Sequence, residues 1–157
     1  MVNLKNAIYA GSFDPFTNGH LHVLCQAAKL FDKVYLVIAV NSEKKRRTDK
    51  QMMKEAIEKV LDNKRINNVE IVIFDGLIVD IAKEKEAQFL IRGLRNGTDY
   101  EYEENLAIVN SKIAGIETIY FRAGKTSHIS SSVVMELLKY GKDVSKWVPA
   151  EILENLE

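Results

Sequence analysis

Apolar runs rich in β-branched residues alternate along this chain with segments of helical period, and that alternation admits few architectures. Ala7–Ala10, Val34–Val40, Val69–Phe74, Phe89–Ile91 and Thr118–Phe121 read as strands. The spacing predicts helices over Leu21–Leu30, Asp49–Leu61, Ile78–Lys85, Tyr100–Ile113 and Ser131–Tyr140. Strands that stay apolar at successive positions leave no face for water, so both faces must be covered. The expectation is an α/β fold, a Rossmann-like doubly wound sheet of five parallel strands with helices on both faces. In such a sheet, ligands gather beyond the C-terminal ends of the strands. Pro149 opens a short terminal helix, Ala150–Leu156.

A chain of 157 residues has room for a single domain, residues 1–157, whose core needs neither disulfide nor metal. Lys and Arg number 22 and Asp and Glu 22, so no global field draws the protein to nucleic acid or to an anionic membrane. Any anion site must be local. The longest apolar run, Val34–Val40, is too short to cross a bilayer, and Met1–Asn6 lacks the apolar core of a secretory signal. A cytoplasmic protein with no nucleic-acid or membrane partner is expected. Cys25, the one cysteine, sits within a helical pattern and reads as a packing residue rather than a catalytic thiol.

The first strand is followed by Gly11-Ser12-Phe13-Asp14-Pro15-Phe16-Thr17-Asn18-Gly19-His20. A helix beginning near His20 turns its unpaired N–H groups and the positive end of its dipole into that turn, where a nucleotide phosphate is favoured. The G-x-x-x-x-G-K-S/T loop and the G-x-G-x-x-G turn are both missing, so this is a different phosphate device. The His20 imidazole can hydrogen-bond an α-phosphate and steady the charge that grows as phosphorus becomes five-coordinate. Alone, a histidine at a helix start is more often a cap or a surface residue; Gly11, Ser12 and Asp14 just upstream favour the chemical reading.

Arg92-Gly93-Leu94-Arg95-Asn96-Gly97-Thr98-Asp99-Tyr100-Glu101-Tyr102-Glu103 places two guanidiniums at a strand end, where they can grip phosphates with paired planar donors. The bland alternative has Asp99 capping its helix while both arginines pair with Glu101 or Glu103 on the surface. Ser130-Ser131-Ser132 opens the last long helix, one serine as its cap, and offers hydroxyls and N–H groups to an anion. In a doubly wound sheet the turn after Arg92 and the helix start at Ser130 open on one crevice, beyond the fourth and fifth strands. There they hold a triphosphate, with Arg95 on its outer phosphates. Lys44-Lys45-Arg46-Arg47 reads as a solvated loop from which one lysine reaches a phosphate. His20, His22 and His128 are not spaced as a zinc site, so no metal is expected on protein side chains. No serine has an evident base and orienter.

Together and in this order, G-S-F-D-P-F-T-N-G-H, R-G-L-R-N-G-T-D-Y-E-Y-E and I-S-S-S make Ala7 to about Pro149 resemble the bacterial phosphopantetheine adenylyltransferases. These belong to the nucleotidyltransferases marked by T/H-x-G-H. Cytidylyltransferase relatives would instead show R-S/T-x-G-I-S-T-T near the end, which Ser127–Ser132 does not fit. The resemblance implies transfer of adenylate from ATP to 4′-phosphopantetheine in coenzyme A biosynthesis, by direct in-line displacement, giving dephospho-coenzyme A and pyrophosphate. It makes His20 the transition-state stabiliser, with Lys44 and Arg95 also catalytic. It assigns Ser12, Lys44, Ile78 and Arg92 to phosphopantetheine. To ATP it assigns Ser12, Phe13, His20, Gly93, Leu94, Arg95 and Glu103, with Thr126, Ser127, His128, Ile129, Ser130, Ser131 and Ser132. It further implies Mg2+ carried on the ATP phosphates, a homohexamer, and feedback inhibition by coenzyme A.

Three positions depart from the family pattern: Ala10 for a common proline, Lys139 for a common arginine, and Ser12 for a frequent threonine, which keeps the hydroxyl. Thr48-Asp49-Lys50-Gln51-Met52-Met53 replaces the usual apolar residue, Ser/Thr and Glu-Arg pair, so the shape of that loop and its assembly contacts are not carried over. Two rival readings remain, a sister adenylyltransferase acting on nicotinamide mononucleotide and a nucleotide-binding regulatory module without turnover. Retention of His20, Lys44, Arg92 and Arg95 favours the enzyme.

Overall fold

Every expected strand forms in the computed structural model, which describes residues 3–156. The strands β1 (Asn6–Gly11), β2 (Lys33–Ala39), β3 (Val69–Phe74), β4 (Phe89–Leu94) and β5 (Glu117–Arg122) make one parallel sheet in the order β3-β2-β1-β4-β5. The order reverses between β1 and β4, where a doubly wound sheet opens its crevice. The period of 2 along β1 divides the core. Ala7 and Tyr9 face the layer built by α1 (Asn18–Leu30), α2 (Lys50–Asn63), α5 (Ser131–Lys139) and α6 (Ala150–Leu153). Ile8 and Ala10 face the layer of α3 (Ile78–Glu84), where Val79, Ile81 and Ala82 are buried. Each fully buried Ile or Leu, such as Ile8, Leu24, Ile57 and Ile91, contributes about 1.5–3 kcal/mol by leaving water.

Two helix starts fall earlier than apolar period suggests, because polar caps rather than the first apolar residue decide them. Thr17 caps α1, so the helix begins at Asn18 and not at Leu21. Asn96 caps α4 (Gly97–Ala114) by accepting the Asp99 N–H at 3.0 Å, which moves the start from Tyr100 to Gly97. Asp99 is therefore not the cap; its carboxylate turns back to Arg95. Asp49 caps α2 through the Met52 N–H at 2.8 Å, and Ser130 caps α5 through the Val133 N–H at 3.2 Å. The terminal helix stops at Leu153 rather than Leu156.

β4 runs three residues beyond Ile91, because Arg92, Gly93 and Leu94 stay in register with Tyr120, Phe121 and Arg122. Ladder pairing overrides the poor strand preference of glycine there. Gly93 is needed for space: a Cβ would lie 2.9 Å from Val23 Cγ2, so its absence lets α1 lie close against β4. The long helix α4 buries only Glu103, while Tyr102, Leu106, Val109 and Ile113 are exposed on it. No helix among the described residues is long and apolar enough to cross a membrane.

Candidate active site

Above the β1/β4 reversal lies a cavity of about 300 Å³. Its walls are Tyr9 and the Gly11–Phe13 turn, Gly19, His20 and Val23 of α1, Arg92, Gly93 and Arg95, Asp99 and Glu103 of α4, and Thr126, Ile129, Ser130 and Ser131. The crevice expected beyond the fourth and fifth strands thus sits over the first and fourth. The strand order reverses there, and β5 contributes through the segment that follows it.

The capping geometry of α1 fixes the state of His20. The Thr17 N–H donates to Nδ1 at 3.0 Å, so Nδ1 is an acceptor and the proton of the neutral ring resides on Nε2. The pair forms a capping box with histidine where glutamate is usual. Neighbouring atoms crowd the ring away from bulk water, Phe13 and Phe16 at 4.9 and 5.6 Å between centroids, although one edge opens on the cavity. That burial, reinforced by the positive charges of Arg92 and Arg95, pushes its pKa down to about 4. At neutral pH His20 is an uncharged hydrogen-bond donor, not a proton acceptor.

Arg92 and Glu103 form a two-pronged pair, Nε to Oε2 at 2.6 Å and Nη2 to Oε1 at 2.7 Å, and Nη1 donates to the Ala10 carbonyl at 2.7 Å. Burial opposes the guanidinium's charge, but the Glu103 carboxylate outweighs it and holds Arg92 more firmly protonated. Three of its five N–H groups are used, which leaves one on each terminal nitrogen for an anion. Arg95 pairs with Asp99 through Nε at 3.0 Å, with its side chain 42% exposed. An exposed i,i+4 pair is worth little, so a phosphate can displace Asp99 at small cost. The bland pairing is thus partly realised, except that Glu103 is buried and both arginines face the cavity.

A second cavity, about 150 Å³, shares Ala10, Arg92 and Glu103 with the first and is otherwise lined largely by apolar groups, Ile8, Ile78, Leu90 and Leu106 among them, with Tyr102 and Asn110. Ile78 therefore belongs to this chamber. The first cavity brings together Ser12, Phe13, His20, Arg92, Gly93, Arg95, Glu103, Thr126, Ile129, Ser130 and Ser131. Lys44, Leu94, Ser127, His128 and Ser132 line neither cavity. Lys44 lies on the exposed loop after β2; the His128 ring packs edge-on against Trp147, and the Ser132 hydroxyl accepts from Arg47 Nη1 at 3.5 Å. Ser131 donates its hydroxyl to the Pro15 carbonyl at 2.7 Å, tying the start of α5 to the first turn.

Sequence reasoning missed Tyr9, whose phenol burial keeps protonated against the pull of Arg92. Its signal was a hydroxyl inside an otherwise apolar strand. Asp14, grouped at first with the phosphate device, instead accepts the Arg47 and Thr48 N–H groups, each at 2.8 Å. Burial raises its pKa, but these bonds and the Thr48 hydroxyl prevail and the net shift is downward. Among the described residues, no group of three or more His, Cys, Asp or Glu side chains could hold a metal ion.

A family model described as cytidylyltransferase-like matches residues 8–137. The phosphopantetheine adenylyltransferase of Clostridium beijerinckii is 40% identical over 155 residues, 98% of this chain and 96% of the relative. That of Phocaeicola vulgatus is 43% identical over 148 residues, 93% and 96% of the two chains. Among solved structures, Plasmodium falciparum nicotinic acid mononucleotide adenylyltransferase, complexed with NaAD, superposes with a TM-score of 0.70 at 17% identity, covering 98% and 95% of the two chains. That last likeness is one of fold.

Proposed function

This chain belongs to the cytidylyltransferase-like family and, within it, to the phosphopantetheine adenylyltransferases, and on that premise we propose that it transfers adenylate from ATP to 4′-phosphopantetheine, releasing dephospho-coenzyme A and pyrophosphate. The observation that carries the reading is the meeting of two chambers at one Arg92–Glu103 pair, the larger one polar and the smaller one mainly apolar. The larger takes ATP and the smaller takes the acceptor's arm, whose phosphate lies on the spare N–H groups of Arg92. Ile78 and Leu106 contact the arm and Asn110 is within the same chamber to bond its amides. Lys44 adds charge from the loop beyond β2, and Ser12 bonds both phosphates.

The nucleophile is an oxygen of the acceptor's phosphate, whose second pKa of about 6 leaves it anionic at neutral pH without a base. A site whose histidine is neutral and too acidic to accept a proton suits that chemistry. The oxygen attacks the α-phosphorus in line, the bond to the β-bridging oxygen breaks, and pyrophosphate leaves with the electron pair. His20 donates Nε2–H to the α-phosphate oxygen on which charge grows, and Arg95 bears the charge of the departing pyrophosphate. Positioning and charge stabilisation supply the acceleration. Mg2+ enters as part of the ATP substrate; the nearby carboxylates, Asp99 and Glu103, are engaged by Arg95 and Arg92.

Coenzyme A, which joins the acceptor's arm to an adenylate, fits both chambers at once and so inhibits. The uncovered apolar residues of α4 support assembly of copies of this chain, a homohexamer in our reading. The enzyme works in the cytoplasm, in keeping with a free, half-buried Cys25. Pyrophosphate release from ATP with 4′-phosphopantetheine, nicotinamide mononucleotide or glycerol 3-phosphate offered in turn tests the function. Turnover with the first alone is expected; turnover with the second would make it a sister adenylyltransferase, and none with any a regulatory module.

A further inference from the structure

One guanidinium of the Lys44–Arg47 charge run is turned inward, against the expectation of a solvated loop. Arg46 Nη1 donates to the Ser12 carbonyl at 2.7 Å, Nη2 to the Phe13 carbonyl at 3.4 Å, and Nε to the Thr48 carbonyl at 3.0 Å. Its side chain is 16% exposed. Asp14 fastens the same loop through the Arg47 and Thr48 N–H groups and through the Thr48 hydroxyl at 2.6 Å. The β2–α2 loop and the β1–α1 turn are therefore clasped into one unit.

That turn needs a clasp. Phe13 is held at φ 45°, a left-handed conformation that a non-glycine residue keeps only when its surroundings impose it. Within a trans peptide the carbonyl and the next N–H point in opposite directions. A guanidinium that takes the Ser12 carbonyl on one side thus turns the Phe13 N–H to the other. Ser12 and Phe13 line the larger cavity and Arg46 does not, so the other side is the cavity. Among the described residues no acceptor meets the Phe13 N–H.

We propose that Arg46 is a positioning residue for adenylyl transfer: by holding the Ser12 and Phe13 carbonyls it aims the turn's N–H dipoles at the phosphates in the cavity, and it locks the loop bearing Lys44 to the same turn. The inference rests on the adenylyltransferase reading above. The Thr48 anchor of the clasp opens the segment in which this chain departs from the family pattern.

The test is steady-state pyrophosphate release by the full chain carrying Arg46→Ala, Arg46→Lys or Thr48→Val. A misplacement of about 1 Å can cost two orders of magnitude, so Arg46→Ala is expected to lower kcat roughly tenfold or more, with smaller changes in both KM values. Arg46→Lys and Thr48→Val fall between, and added guanidinium restores part of the Arg46→Ala rate while leaving wild type unchanged. A wild-type kcat in Arg46→Ala overturns the proposal, as does a loss that merely tracks the unfolded fraction and vanishes on cooling. In either case an active wild type leaves the functional reading intact, whereas a wild type that releases no pyrophosphate overturns both.

Discussion

Replacing His20 by alanine separates its two duties, the donor on the cavity wall and the partner of Thr17 in the helix cap. Loss of one preorganised donor to a developing oxyanion costs about 2.7–4 kcal/mol in the transition state, so kcat should fall roughly 10²- to 10³-fold. The ground-state phosphate gains less from the same bond, so the KM for ATP should move little. Loss of the bond from the Thr17 N–H to Nδ1 costs a further ~1 kcal/mol of stability, which melting curves keep apart from the kinetic effect. The ring's acidity adds a second signature. Its folded pKa of about 4 lies below the ordinary histidine value of 6.5, so as pH falls the unfolded chain takes up the proton first. Stability therefore rises with pH between those two values, by up to about 3 kcal/mol attributable to this residue. The alanine variant lacks that contribution. Above pH 6 the ring stays neutral, so His20 imposes no inflection on wild-type kcat. Pyrophosphate release from pH 5.5 to 8.5, paired with urea unfolding from pH 4 to 7, measures both. An inflection in wild-type kcat near 6.5 that disappears in the variant would show that the ring ionises during turnover and refute the neutral-donor assignment; so would an unchanged kcat.

Lys44→Ala is expected to raise the KM for 4′-phosphopantetheine well above any change for ATP, and equal changes in initial-rate kinetics would undo its assignment to the acceptor's phosphate. Arg95→Ala should weaken ATP more than Ser131→Ala, about 1.5–3 against 0.5–1.5 kcal/mol, because one loses a charged hydrogen bond and the other a neutral one. Titration with ATP alone reads this directly, and normal affinity in Arg95→Ala would make the arginine merely the partner of Asp99. Arg92→Ala strands the buried Glu103 carboxylate, so its unfolding free energy should drop by roughly 3 kcal/mol in urea titration; an unchanged midpoint would mean that water already compensates Glu103.

The sheet was legible because its strands carry unbroken apolar runs, and Val34–Val40 could be little else than a strand buried on both faces. β4 was read too short because Arg92 and Gly93 look like the end of a strand, and only the register with Tyr120 and Phe121 keeps them in it. Asp99 has the chemistry of a cap for α4, but Arg95 claims its carboxylate and Asn96, three residues earlier, caps the helix. His20, Arg92, Arg95 and the Ser130–Ser131 pair, which stand out in the sequence at a strand end or a helix start, all line the larger cavity. Arg46 does not stand out. The Ser12 and Phe13 carbonyls that turn it inward lie more than thirty residues back in the chain, and nothing local distinguishes it from the charged residues beside it.

The ladder between β1 and β4 ends at Tyr9–Ile91, whereas that between β1 and β2 continues to Gly11–Ile38. Past its last rung, the Ala10 carbonyl accepts from the side chain of Arg92. Above that ladder the seam between β1 and β4 is bridged by the Arg92 guanidinium, and local opening starts where such bonds are fewest. A phosphate resting on the spare N–H groups of Arg92 stiffens that closure. Amide hydrogen exchange then becomes a gauge of occupancy: exchange along the upper seam, around Tyr9 and Ile91, slows when the cavity fills, while the middle of β2, zipped on both sides, keeps its own pace.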